Sequence, residues 1–386
     1  MDNKLTPKQI AMNIISGAKP DKTIFSPDIS EWYKDKRLKD ITQSHKIPTG
    51  CLISDDMEIN KIAGTMPKEF AGWTYLDFYR NFNWGLHVHI YDWCRFEYAN
   101  CTLNQHITDR QIIKEFKTPI GTISRIDGIA NDGSLCPVKL FIENENDWKV
   151  LLHVIKNTKP IADDQHIQNI LNQIGDLGIA DIVLWRSPFG KIVEEYAGIE
   201  KTAYTMMDKP QIIDEILHAQ TIIDTELIQL AADSSADIAI LSDHADQQIL
   251  NPLWYENYCI PFYQKAGDIL HKKNKIFSTH LDGNFKALFD LVRKSSFDLL
   301  DGCTPAPMTN YEVEELPMAM NEKMAAYCGV PSIFFVEDYT IDQITTFANR
   351  IIKALKGKVI LNIADILPAN GNINKTIELG HWLANT

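Results

Sequence analysis

The chain has 386 residues, 45% hydrophobic and 23% charged, with a formal net charge of −13. That length and balance suit a large buried core. The acidic excess, with no Lys/Arg-rich run interleaved with aromatics, argues against nucleic acid and anionic membrane surfaces as partners.

The opening stretch Met1–Ile10 has no long apolar region or small-residue cleavage site, so no secretory signal is expected. Thr6-Pro7 followed by Ile10, Met12, Ile14 and Ile15 predicts a capped helix ending near Gly17. Thr23-Ile-Phe-Ser-Pro27 reads as a short strand with Asp28 just beyond it. Residues 30–85 are aromatic-rich and read as short helices. Leu86–Ile90, Arg95–Tyr98 and Gly121–Ile126 predict short antiparallel strands, with Leu140–Ile142 as a further one. This region is expected to form a flap or hairpin insertion over a larger body.

From about residue 145 helical and strand patterns alternate. Helices are expected at 163–176, 212–230, from Pro252 with an interruption at Pro261, and at 284–295, 311–322, 341–356 and 373–384. Strands are expected at Asp181–Trp185, Asp237–Leu241, Lys275–Thr279, Phe297–Leu300, Met324–Cys328 and Lys358–Ile363. Their spacing, roughly 25–35 residues, is that of βα units. A (β/α)8 TIM barrel and a doubly wound sheet both fit; length and the lack of a Gly-rich βα turn favour the barrel. No linker divides the chain, so residues 1–386 are read as one domain. Residues 1–145 hold N-terminal helical and hairpin elaborations, and 146–386 hold regular βα units.

In such barrels the active site lies at the C-terminal strand ends. Those positions offer Ser242, Asp243, His244, Asp246 and Gln247, then His280 and Asp282, Asp301 and Cys303, Tyr327 and Cys328, and Asn362 and Asp365. His280 suits metal ligation, acid–base work or anion binding, against the plainer reading of a loop histidine. His280-x-Asp282 with Cys303 has the residue types of a mixed zinc site. Asp243 and His244 are adjacent on extended chain and must point apart, with Asp243 expected to face the pocket. Asp301 reads equally as a site acid or a helix cap. Cys328 reads as a core thiol. His87 and His89 share one strand face and either close the pocket from the flap or lie on its surface, the second reading being favoured. Tyr255 is a substrate-side candidate whose plainer role is packing.

The eight arginines (Arg37, Arg80, Arg95, Arg110, Arg125, Arg186, Arg293 and Arg350) are too scattered for a clamp on a multiply anionic ligand. Seven cysteines at irregular spacing read as reduced thiols, and a cytoplasmic location is expected. The chain contains no C-x-x-C pair, Gly-rich phosphate loop or Gly-x-Ser-x-Gly elbow.

Several segments resemble the uroporphyrinogen decarboxylase superfamily, which includes the corrinoid- and thiol-dependent methyltransferases. They are Gly17-Ala-Lys-Pro-Asp21, Thr118-Pro-Ile-Gly-Thr122, Asp243-x-x-x-Gln247, Asn251-Pro252, Pro261, His280-Leu-Asp-Gly283 and Thr304-Pro305. The resemblance covers most of the chain loosely and implies a (β/α)8 barrel. The decarboxylases' Arg-rich N-terminal loop is represented only by Arg37. The methyltransferases carry His-x-Cys and a later Cys as zinc ligands. Here His280 matches, Asp282 stands in the place of the first Cys, and the later position falls near Asp365. The match is thus to a branch with His-x-Asp-Gly.

The resemblance implies an enzyme moving a methyl group between a corrinoid or methylated small molecule and a thiol-type acceptor. In that reading His280, Asp282 and Asp243 are catalytic. Asp28, His244, Gln247, Arg125, Asp301 and Tyr255 bind substrate. Zinc would be held by His280, Asp282, Cys303 and Asp365. The corrinoid would come on a partner protein, and pairing into a homodimer is expected by analogy. The alternatives are a metal-free decarboxylase of a porphyrinogen or smaller carboxylated substrate, with Asp243 or Asp28 stabilising a developing cation and Arg125 or Arg95 binding a carboxylate, and a non-catalytic ligand-binding barrel.

Overall fold

Strand side chains alternate between two faces, and here one face looks into the lumen of a closed ring. The structure, a computed structural model, describes residues 5–18, 22–40, 42–43, 52–53, 64–131 and 133–386. Lys19, Pro20 and Asp21 of the N-terminal motif, and Cys51, lie outside the described residues. The six described cysteines are free thiols.

In chain order the strands are β1 (Leu86–Ile90), β2 (Cys94–Tyr98), β3 (Thr102–Ile107), β4 (Gln111–Thr118), β5 (Gly121–Ile129), β6 (Leu135–Lys139), β7 (Thr158–Ala162), β8 (Gly178–Val183), β9 (Ile238–Leu241), β10 (Ile276–His280), β11 (Leu299–Cys303), β12 (Ala325–Pro331) and β13 (Val359–Ala364). The order β1-β8-β9-β10-β11-β12-β13 makes one parallel sheet. Residues 24–26 close it. Ser26 N donates to Leu361 O at 2.8 Å, Leu361 N to Ile24 O at 3.0 Å, and Gly85 N to Phe25 O at 2.8 Å. The segment thus bonds β13 on one side and the chain entering β1 on the other, giving the eighth stave of the expected (β/α)8 barrel.

The Leu86–Ile90 segment therefore belongs to the barrel and not to the flap. Its alternation looks like a half-solvated antiparallel strand, but Leu86, Val88 and Ile90 pack under the helices while the histidines between them face inward. The antiparallel insertion occupies residues 94–162. It holds a four-stranded sheet, β3-β4-β5-β6, and the separate pair β2–β7. Residues Leu140–Ile142 form no strand. Phe116 joins the sheet to the body through Tyr98 and Phe141. The helix from Pro252 to His271 absorbs Pro261 by a π-type turn at Tyr255–Cys259. The segment expected as a helix around 311–322 is a 3₁₀ stretch, Val313–Ala319.

The barrel is apolar at one end and polar at the other. Ile24, Ile179, Ile238, Leu299, Ala325 and Ile360, all near strand starts, form one cluster with Ala11, Ile14 and Ile15. The helix Pro7–Ile15, capped by Thr6, plugs this N-terminal end. No helix among the described residues is long and apolar enough to cross a membrane. Ile14 is 1% exposed in this plug. Ile14→Ala should cost about 2–4 kcal/mol of stability through lost burial and the cavity left behind. Urea unfolding measures it, and a loss below about 1 kcal/mol would mean the plug helix is loosely seated.

Candidate functional site

Beyond the apolar layers the lumen turns polar. His87 and His89 on β1 flank Asp181 on β8, whose side chain is fully buried. His87 Nε2 lies 2.7 Å from Asp181 Oδ2, and His89 Nδ1 lies 2.9 Å from Oδ1. Burial opposes ionisation of Asp181, but the two imidazoles hold it below the usual carboxylate range. Burial likewise disfavours charge on His89, yet Asp181 pushes it up to about 9. The His87 ring stacks on Tyr327 at 4.8 Å, and the Tyr327 hydroxyl bonds Ser26.

On the far side of the lumen, His280 ends β10. Its Nδ1 is 3.0 Å from Asp301 Oδ2, and its Nε2 is 3.7 Å from Asp365 Oδ2. Burial works against its charge, but Asp365, Asp301 and Asp282 push His280 up to about 10. Burial would raise Asp301; the His280 hydrogen bond and charge outweigh it and hold Asp301 low. Ser26, Pro27, Asp28, His87, His89, Asp301, Tyr327, Asn362 and Asp365 enclose a cavity of about 20 Å³, space for one water-sized occupant. Asp28, Asp301, His280 and Asp365 are thus brought together.

Other expected site residues are not. Asp243 is 2% exposed, and its oxygens accept from Ser187 N and the Tyr263 hydroxyl. It ties the turn at Ser187 to the helix Ile260–His271. Gln247 Oε1 accepts from Ala287 N and Asn310 Nδ2, again bridging loops. Tyr255 is 1% exposed against Tyr263, in the core. Asp282 stands between the two groups: it acts on His280 through its charge and lies 3.9 Å from His244.

Cys303 faces away from the lumen because β11 carries an extra residue. Leu300 pairs with Ala326 and Cys303 with Cys328, three steps against two. Gly302 is the extra residue, at φ +70°. A Cβ there would lie 2.5 Å from the His280 ring, so glycine is what lets the imidazole sit against the backbone. Cys303 is 0% exposed, and burial holds its thiol protonated. The positions matching the zinc ligands therefore supply no thiolate, and the residues present do not fit a zinc–thiolate centre.

A second cavity, about 940 Å³, lies between the insertion and the barrel, in the size range of small-molecule sites. It is lined by Arg125, Trp185, Arg186, Glu194, Glu195 and His244, among others. Arg125 is paired with Asp127 and Arg186 with Glu194, each at 2.8 Å. Burial first, and then Asp243, push Glu194 up to about 8 against the pull of Arg186.

Sequence reasoning missed Asp181 and Glu194 as site residues and assigned His87 and His89 to the flap. A buried acid in an otherwise apolar strand, Gly178–Val183, and a His-x-His repeat on a strand were the available signals.

No protein-family model matches the sequence, nor does any curated protein. Among solved structures, a methyltransferase from Methanosarcina mazei superposes over 99% of both chains at 14% identity and a TM-score of 0.55. A Listeria monocytogenes protein described as a vitamin-B12-independent methionine synthase covers 57% of this chain and 68% of its own, at 12% identity and a TM-score of 0.35. The first likeness shows the fold: a curled parallel sheet with flanking helices, of the TIM-barrel type.

Glu194 makes the cleft sensitive to pH. Its folded value, about 8, exceeds the ordinary 4.5, so its contribution to stability is complete below the ordinary value and is lost as pH rises through about 8. Glu194→Gln should therefore gain on the wild type in stability between about pH 5 and pH 8. Urea midpoints across that range test it; parallel curves would show that Glu194 titrates normally.

Proposed function

We propose that the chain is an enzyme of the methyltransferase type, acting on a small thiol-type acceptor at the C-terminal mouth of the barrel. The observation that carries this reading is the orientation of His280. Its Nδ1 is fixed by buried Asp301, while its Nε2 faces Asp365, whose side chain is 51% exposed. One nitrogen is held and the other is presented at the mouth, as a group that positions a reacting atom requires. The whole-chain likeness to a methyltransferase supports the same reading, as does the motif run from Asp243 to Pro305 that resembles the uroporphyrinogen decarboxylase superfamily.

In the reaction the acceptor's sulfur–carbon bond forms as the donor's bond to methyl breaks, and the thiol proton is released. His280 Nε2 holds the acceptor sulfur, and Asp365 stands within reach of the proton. A corrinoid on a partner protein, or a methylated small molecule, is the donor class, supplying an activated methyl group when bound. A decarboxylase would need free cations for substrate carboxylates. Arg125 is neutralised by Asp127, and Arg95 lies 66% exposed beside Glu97.

Anaerobic incubation with methylcobalamin and 2-mercaptoethanesulfonate or homocysteine should yield the thioether. His280→Gln should lower kcat/KM roughly 100-fold or more with an unchanged circular dichroism spectrum. Carbon dioxide release from uroporphyrinogen with no thioether would replace this reading by decarboxylation. A fully active His280→Gln would remove His280 from the site.

A further inference from the structure

We propose that the barrel lumen binds a single divalent transition-metal ion through His87, His89 and Asp301. One ligand atom from each of the three lies within 4.8 Å of the others. Donors around a shared ion stand roughly 3–4 Å apart, given bond lengths of about 2.0–2.2 Å. A small contraction of the side chains therefore completes the set.

The surroundings are those of a metal centre in two further respects. Asp181 engages one nitrogen of each histidine, at 2.7 and 2.9 Å, which fixes the ring orientations and leaves the second nitrogen of each without a hydrogen bond among the described residues. A buried carboxylate behind ligating imidazoles is the usual outer shell of a histidine site. Independently, Asn362 lines the same cavity, is 5% exposed, and has an Oδ1 with no hydrogen-bond partner among the described residues. An orphaned buried carbonyl oxygen is costly unless something fills the space before it. An ion, or a water on that ion, satisfies it. Asp301 gives Oδ2 to His280 and retains its other oxygen for the ion.

The donors are nitrogen and oxygen only, which suits Zn²⁺, Fe²⁺, Co²⁺ or Mn²⁺ over soft ions. The set is distinct from the positions that resemble zinc ligands in the methyltransferases; His280 braces Asp301 without ligating. The inference goes beyond the proposed reaction and stands whichever group the enzyme transfers.

The test uses full-length protein stripped with chelator and titrated with Co²⁺ and then Zn²⁺, read by visible spectroscopy and calorimetry. One equivalent of Co²⁺ should bind, with ligand-field bands, no thiolate charge-transfer band, and displacement by Zn²⁺. His87→Gln and Asp301→Asn should abolish binding. Asp181→Asn should weaken it roughly 10- to 100-fold. Asp282→Asn and His280→Gln should each retain one equivalent. Should the lumen variants fail to fold, Zn²⁺ should still perturb the His87 and His89 imidazole resonances of the wild type most. Substoichiometric binding would leave the cluster a self-contained ion network and overturn the proposal. So would binding that survives His87→Gln but is lost in Asp282→Asn, or a thiolate band.

Discussion

A carboxylate with no solvent exposure sits at the centre of this barrel. Asp181 lies mid-strand on β8 among residues that are otherwise apolar. An uncompensated charge there would cost several kcal/mol. The two β1 histidines meet that requirement, and they can do so only because β1 is hydrogen-bonded directly beside β8, with His89 opposite Asp181. Closure of the ring at residues 24–26 then brings Ser26 and Asp28 to the same lumen. The apolar plug of Pro7–Ile15 seals the opposite end. The polar mouth and the plugged base are one design: water is excluded from below, so charges above must pair with each other or with a ligand.

The lumen and the large cleft under the insertion are lined by different residues, and the His244–Asp282 pair lies between them. His244 lines the cleft and reaches Asp282 at 3.9 Å, while Asp282 acts electrostatically on His280 at the mouth. A substrate in the cleft and a reacting group at the mouth would be coupled through that pair. The cleft's arginines are already neutralised by Asp127 and Glu194. Its chemistry is therefore that of an amphipathic pocket, in which aromatic walls such as Phe96 against Trp185 carry the contact.

Much of the barrel was legible because its strands and helices differ in period and recur at regular spacing. The staves β8 to β13 and the Thr23–Pro27 stave follow directly from that pattern. β1 was not legible as a stave. His-Val-His alternation is the same whether polar side chains meet water or meet a buried acid from another strand, and only the pairing with β8 separates the two. The same ambiguity hid the site. His280, Asp301, Asp28 and Asp365 could be placed at strand ends, since position along a stave sets depth in the lumen. Asp243 could not be dismissed, because its partners Ser187 and Tyr263 lie 56 and 20 residues away. The insertion's β3, β4 and β6 alternate weakly, and β7 contains Pro160, which reads as a strand breaker unless the strand lies at an edge.

The extra residue at Gly302 decides what kind of chemistry the mouth can hold. Regular alternation from Leu299 and Asp301 would turn Cys303 inward, next to His280, and would complete a nitrogen, oxygen and sulfur donor set. The bulge instead pairs Cys303 with Cys328 under the helices, where burial keeps both thiols protonated. At the same position the missing side chain lets His280 settle against the backbone and reach Asp301. One local irregularity thus turns a soft donor away and lets His280 hold the Asp301 carboxylate in place. The donors left at the mouth are imidazole, carboxylate, hydroxyl and amide groups, with no thiolate among the described residues, and a set of that composition favours borderline or hard partners. Asp282, two residues past His280, likewise offers a carboxylate and not a thiol.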